Sequence, residues 1–179
     1  MRRFLAGLML AVVAAFLALP AAAKTASFSL SPSAVTASGG AAAGLGVEFT
    51  GSGTMGFGFT LPRDYRENTP VVVQLMVYDQ QGSGPCSFNF SPFRLLQFRN
   101  GERAGRSLFG FTAKNGGIFD VNADEGVAIA KLTIKPGGDL PGLRGGDALA
   151  LLVERDHTLV GDTCGTIAVF GINIKYKLK

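Results

Sequence analysis

Residues 167–179 read Ile-Ala-Val-Phe-Gly-Ile-Asn-Ile-Lys-Tyr-Lys-Leu-Lys, and this stretch decides the fold. Ala168, Phe170, Ile172, Ile174, Tyr176 and Leu178 share one face of an extended chain. The other face begins with Ile167 and Val169 and passes into Asn173, Lys175, Lys177 and Lys179. A period of two over this length marks a strand buried on one side. It predicts a long last strand with one face in a core throughout. Its lysines are expected to shield an exposed sheet edge from pairing with other chains.

The same period recurs upstream. Met55, Phe57, Phe59 and Leu61 alternate with Gly56, Gly58 and Thr60 until Pro62 stops the ladder. Residues 71–78 are β-branched and aromatic and lie between Pro70 and a Gln-Gly-Ser-Gly-Pro turn. Further strands are expected at 86–90, 93–98, 107–112, 117–121 and 127–135, with Asn100-Gly101 as a turn. Residues 148–155 follow Gly145-Gly146-Asp147 and are apolar on both faces, which predicts a central strand. The helical rivals fail. Residues 93–100 do not hold a 3.6 spacing, and residues 121–132 contain Gly126 and β-branched side chains. Short strands separated by turns, without a long amphipathic helix, predict an all-β fold. The expected form is an antiparallel β-sandwich or barrel of about 8–10 strands in a single domain; as a sandwich, its core would be rich in phenylalanine.

The beginning of the chain has a different logic. Met1-Arg2-Arg3 is followed by an apolar run from Phe4 to Leu19 and by Pro20-Ala21-Ala22-Ala23, the layout of a signal peptide cut after Ala23. The run is shorter than the roughly 20 residues of a permanent span. The expected parts are a signal peptide (1–23), an Ala/Ser/Gly-rich arm (24–46) with a short strand at Phe28 and Leu30, and the sandwich (47–179). The processed protein is expected to be secreted or periplasmic and not membrane-spanning. Losing residues 1–23 removes two of 17 basic residues and none of 13 acidic ones, which leaves a net charge near +2. So mild a balance excludes a nucleic-acid binder, which shows a dense basic patch. Cys86 and Cys164 are the only cysteines, and in an oxidising compartment such a pair forms a disulfide. The rival is a reactive thiol at Cys164 within Asp-Thr-Cys-Gly.

Phe59-Thr60-Leu61-Pro62-Arg63-Asp64-Tyr65, then Thr69-Pro70 and the strand at 71–78, form a recognisable phrase. So do Gly146-Asp147, an apolar strand ending in Arg155-Asp156, and Asp162-Thr163 before the last strand. Together they resemble jelly-roll domains of phage tail and appendage proteins and of uncharacterised secreted bacterial proteins. The resemblance covers roughly residues 47–179. It implies an eight-stranded double sheet, often trimeric in the viral proteins, with no active-site residues to carry over. The chain departs from it in having two cysteines and no Trp.

Few residues have the chemistry of a site. His157, the only histidine, can be drawn as a general base beside Cys164 and an Asp, but a disulfide would remove that nucleophile. Its plainer reading is a solvated loop residue. Asp120, Asn122 and Asp124 put oxygen ligands on alternate positions like the start of a calcium loop. Yet Gly126 falls one place late, and Lys131 stands where a bidentate Glu is wanted. Arg94, Arg99, Arg103, Arg106 and Lys114 cluster against Glu102 alone and can contact an anionic surface by charge attraction. The alternative is an ordinary solvated face. Sugar platforms need exposed flat aromatics, whereas the phenylalanines fall mostly on inward positions. No cofactor is indicated.

The function expected from these residues is an exported, non-catalytic β-sandwich with a structural, adhesive or envelope-associated binding role. Its partner would be a cell-envelope component or a polysaccharide, and the viral likeness implies a homotrimer. The alternatives are a small secreted hydrolase or metal-dependent enzyme using Asp120, Asp124 or His157, and a carrier of a lipophilic ligand.

Overall fold

A computed structural model describes residues 24–30, 36–38, 41–43, 46–80, 84–99, 117–121, 127–137 and 142–179. They form eleven strands and no helix: β1 (Thr25–Leu30), β2 (Thr36–Ser38), β3 (Ala41–Ala43), β4 (Gly46–Phe49), β5 (Gly53–Thr60), β6 (Val71–Asp79), β7 (Cys86–Phe98), β8 (Gly117–Val121), β9 (Val127–Ile134), β10 (Ala148–Arg155) and β11 (Ile167–Lys177). Every pairing is antiparallel. One sheet runs β3-β4-β11-β6-β9, with β1 also on β11. The other runs β2-β5-β10-β7-β8.

The eight strands from β4 to β11 are nested pairs. β7 bonds β8, β6 bonds β9, β5 bonds β10 and β4 bonds β11. Such a nested hairpin wound over itself puts β4, β11, β6 and β9 in one sheet and β5, β10, β7 and β8 in the other, which is a jelly roll. The arm adds β1, β2 and β3 to this frame. Phe28 and Leu30 lie on β1, opposite Ile174 and Ile172.

The core is built from the inward positions of both sheets. Val71, Val73, Leu75 and Val77 on β6, Ala130 on β9, and Ile172 and Ile174 on β11 are fully buried. They face Met55 on β5, Leu149 and Val153 on β10, and Phe88, Phe90 and Leu95 on β7. Aromatic rings fill both ends. Phe49, Phe88, Phe90 and Phe119 form one cluster, while Phe28, Phe59, Tyr65 and Tyr176 form another.

The last strand differs from its sequence reading in two ways. β11 is not an edge, because β6 occupies one side of it and β4 and β1 share the other. Its lysines reach water from the outer face of the sheet; alternation reports a wet face and says nothing about an edge. Its buried face also changes midway. Val169 pairs with Val77 and Gly171 with Met76, so Phe170 is an extra residue, a β-bulge. Ile167 and Val169 therefore join Ile172, Ile174 and Tyr176 in the core, and Phe170 moves to a half-exposed position.

Two expected strands, 86–90 and 93–98, are one strand of 13 residues. Its register against β10 shifts between Val153 and Arg155, where three steps on β7 match two on β10. Pro92 lies in that bulge, a place where a missing N–H is tolerated. The central place expected for residues 148–155 is observed, since β10 is the middle strand of its sheet. The expected signal peptide (1–23), the strand at 107–112 and the Asn100-Gly101 turn lie outside the described residues. No described helix is long and apolar enough to cross a membrane.

Candidate functional site

The two ends of the sandwich hold its polar chemistry. At one end Cys86 and Cys164 are joined in a disulfide, with Cα atoms 5.0 Å apart. It ties the start of β7 to the loop between β10 and β11. Cys164 therefore has no thiol, and the Cys164–His157 nucleophilic reading falls.

Beside the disulfide lies a buried cation. Arg155 ends β10 and is 0% exposed. Its guanidinium donates to both carboxylate oxygens of Asp162 at 3.0 and 2.7 Å. It also donates to the carbonyls of Phe49 and Gly165, each at 2.8 Å, and of Cys164 at 2.6 Å. Asp162 further accepts the Asn89 backbone N–H at 3.1 Å. Burial alone would push the Asp162 carboxyl up, but these donors, Arg155 foremost, hold it below the usual carboxylate range. His157 stands at the rim, its Nδ1 3.4 Å from Asp162. The Arg155 and Asp162 charges are matched inside the protein, so the cluster clamps the loop.

The opposite end is open. A cleft of about 740 Å³ is lined by Thr60, Leu61, Pro62, Arg63, Arg99, Arg144, Gly145, Gly146, Asp147 and Lys179. The loops that frame it are pinned. Leu61 N–H donates to the Asp147 carbonyl and Gly146 N–H to the Leu61 carbonyl, both at 2.8 Å. Asn68 N–H donates to the Leu143 carbonyl at 3.1 Å. Tyr65 and Leu143, each 0% exposed, anchor the two loops in the core, and the Tyr65 hydroxyl donates to the Thr69 carbonyl. Burial raises the Tyr65 phenol above its ordinary range, so it remains a donor. The Gly145-Gly146 turn is required here. A Cβ on Gly145 would lie 2.8 Å from the Pro62 carbonyl oxygen, and Gly146 has φ of +90°.

Asp147 organises the cleft. Its buried carboxylate accepts Gln97 Nε2 at 2.7 Å, Arg99 Nε at 3.1 Å, Arg99 Nη2 at 3.2 Å and the Arg144 backbone N–H at 2.9 Å. Arg99 also donates to the Gly142 carbonyl at 2.8 Å. The one acidic side chain among the described lining residues is thus engaged in holding Arg99 and the 142–147 loop. Among the described residues Arg63, Arg144 and Lys179 make no ion pair, so the cleft carries a clear positive excess. Guanidinium groups such as those of Arg63 and Arg144 suit a carboxylate or phosphate, which accepts two parallel N–H bonds.

The residues expected to meet an anion are separated. Arg99 enters the cleft, while Arg94 stands exposed on the outer face of the β10-containing sheet, opposite Leu152. Arg103, Arg106 and Lys114 lie outside the described residues. Asp120 sits on β8 and accepts the Ser87 hydroxyl at 2.7 Å; Asn122 and Asp124 lie outside the described residues. Among the described residues no group of three His, Cys, Asp or Glu is arranged to hold a metal. Arg63, Arg144, Asp147 and Lys179 were not singled out from the sequence, where they are scattered over 117 positions. The only local signal was an arginine next to a turn residue in Pro62-Arg63-Asp64 and in Arg144-Gly145-Gly146.

The chain matches no known protein family and no curated protein. Three solved structures are similar over most of its length. A family GH115 4-O-methyl-α-glucuronidase with specificity for decorated arabinogalactans is 14% identical over 89% of this chain and 18% of its own, with a TM-score of 0.44. The xylan-binding module CBM15 is 12% identical over 87% of this chain and 97% of its own, with a TM-score of 0.38. The enzymatically active domain of tailspike protein 4 from bacteriophage CBA120 is 9% identical over 86% of this chain and 19% of its own, with a TM-score of 0.32. This chain thus spans under a fifth of the glucuronidase and about a fifth of the tailspike domain. None of the three lends it a ligand or an activity.

Proposed function

We propose that this chain is an exported, non-catalytic β-sandwich that acts by contact, in a structural, adhesive or envelope-associated role, and that the cationic cleft is where it holds its partner. One observation carries the reading. Three cations without an ion pair among the described residues, together with a fourth fixed by Asp147, converge on a cleft where the one acidic side chain among the described lining residues is already engaged. Such a site attracts an anionic group and orients it, and the field extends over roughly a Debye length, about 10 Å at 0.1 M salt. The disulfide supports an oxidising destination for the processed protein.

Calorimetric titration with polyphosphate and with polygalacturonate tests this. Binding of at least one polyanion at low salt is expected, weakening as salt rises. Arg63→Glu/Arg144→Glu should lose about tenfold or more in affinity. Equal binding by that variant, or none by the wild type, removes the cleft as the contact site. Turnover of a bound polymer would overturn the non-catalytic part.

A further inference from the structure

The outer face of the five-stranded sheet leads directly into the cleft. On β5 the outward residues are Thr54, Gly56, Gly58 and Thr60; on β10 they are Ala148, Ala150, Leu152 and Glu154; on β7 they are Arg94, Leu96 and Phe98. The register arranges them in rows. Thr60, Ala148 and Phe98 lie side by side, then Gly58, Ala150 and Leu96, then Gly56, Leu152 and Arg94. Thr60 lines the cleft, and Phe98 lies two strands away in the same row, about 10 Å at ordinary sheet spacing. Phe98 directly precedes Arg99, so platform and cation are neighbours in the chain on opposite sides of the pleat.

Phe98 is 44% exposed, unlike its buried counterparts on β5 and the first half of β7. A phenyl ring standing outward from a sheet face is a stacking surface for an apolar face. The residues between it and the cleft are Ala148 and Thr60, and the next row holds Gly58 and Ala150, so among the described residues of these rows nothing bulky separates ring from cations. Arg94 is a further exposed cation about 14 Å along β7 from Phe98. Glu154, opposite Thr54, is the acid that closes this lane.

We infer that this lane and the cleft together form one site for an acidic polysaccharide bearing sugar carboxylates, with a carboxylate in the cleft and a neighbouring ring on Phe98. The inference rests on the cleft being a contact site and adds the class of partner. A bare polyphosphate uses the cations alone. A uronic-acid polymer uses both features, because each unit pairs a planar carboxylate, suited to Arg63 and Arg144, with a C–H face suited to an exposed ring. Arg94 then meets a carboxylate further along the same strand of polymer.

The experiment compares polygalacturonate, alginate, neutral xylan and polyphosphate by calorimetry, using the processed protein with its disulfide intact. The variants are Phe98→Ala, Arg94→Ala and Arg144→Glu. Phe98 and Arg94 are exposed, so their variants should fold. For at least one uronate polymer, Phe98→Ala is expected to cost about tenfold in affinity, Arg94→Ala about threefold, and Arg144→Glu about 30-fold. Polyphosphate should lose affinity with Arg144→Glu and, more weakly, with Arg94→Ala, and should ignore Phe98→Ala. Equal sensitivity of polyphosphate and uronate binding to Phe98→Ala, or none in either, overturns the polysaccharide site and leaves the cationic cleft standing. Tight binding of neutral xylan that ignores Arg144→Glu also overturns it. Absence of binding to every polyanion ends both readings together.

Discussion

Replacing Arg155 with Met tests how the disulfide end is held. Met keeps much of the length and the apolar stem but removes the guanidinium. The wild-type group is wholly buried and satisfies the Asp162 carboxylate and the carbonyls of Phe49, Cys164 and Gly165. Without it Asp162 is a buried charge left with the Asn89 N–H and His157 as partners. Breaking a buried pair from one side costs about 3–5 kcal/mol, a large share of the 5–15 kcal/mol that holds a typical domain. With an m-value of about 2 kcal/mol per molar urea, the urea midpoint should fall by about 2 M. Asp162→Leu should cost a similar amount. The double variant should cost well under the sum of the two, with coupling of about 2 kcal/mol or more. The measurement is urea unfolding at pH 7 under non-reducing conditions, read by near- and far-ultraviolet circular dichroism. A loss below about 1 kcal/mol in Arg155→Met, or strict additivity in the cycle, would refute the clamp.

The disulfide closes a long loop, with a sequence separation of 78, so reduction or Cys86→Ser/Cys164→Ser should lower stability by roughly 4–5 kcal/mol. Intact mass should show no alkylation without a reductant; two freely alkylated thiols would restore Cys164 as a reactive group. The Asp162 carboxyl lies below its ordinary value of 3.8 in the folded state, so its contribution is complete above that value and is lost as pH falls through the lower folded one. Stability should therefore drop below pH about 4, and Asp162→Asn should flatten this acid limb while lowering stability at pH 7. Parallel acid limbs in the two proteins would refute the assignment.

Much of this architecture was legible along the chain because side-chain alternation is a property of each strand alone. β5 falls where its apolar alternation places it, and β6, β9 and β10 where their β-branched and apolar runs between turn residues place them, with Gly145-Gly146 as one such turn. β11 shows the limit. Its residues declare a strand, but the bulge at Phe170 exchanges the buried and exposed faces over Ile167–Phe170. A single inserted residue leaves no mark in a sequence whose two faces are both apolar there. β7 shows the same limit from the other side, where Pro92 reads as a break and the bulge carries the strand through.

The candidate site was less legible, since its side chains come from four segments that meet only after folding. Charge clustering pointed to Arg94 and Arg99 together, yet the pleat sends one to the open sheet and the other into the cleft. Asp147 was visible only as part of a turn; its role in holding Arg99 depends on the pairing of β10 with β7.

The amino-acid order alone determined that the protein is built of strands, roughly where most of the long ones lie, and which two cysteines are there to pair. Those follow from the two-residue repeat of an extended backbone and from there being a single pair of thiols. Folding decided that β11 is not an edge, which side of it is dry at its start, and that cations distant in the chain share one cleft. These depend on long-range pairing, where a one-residue shift reverses a face and no nearby residue records the partner.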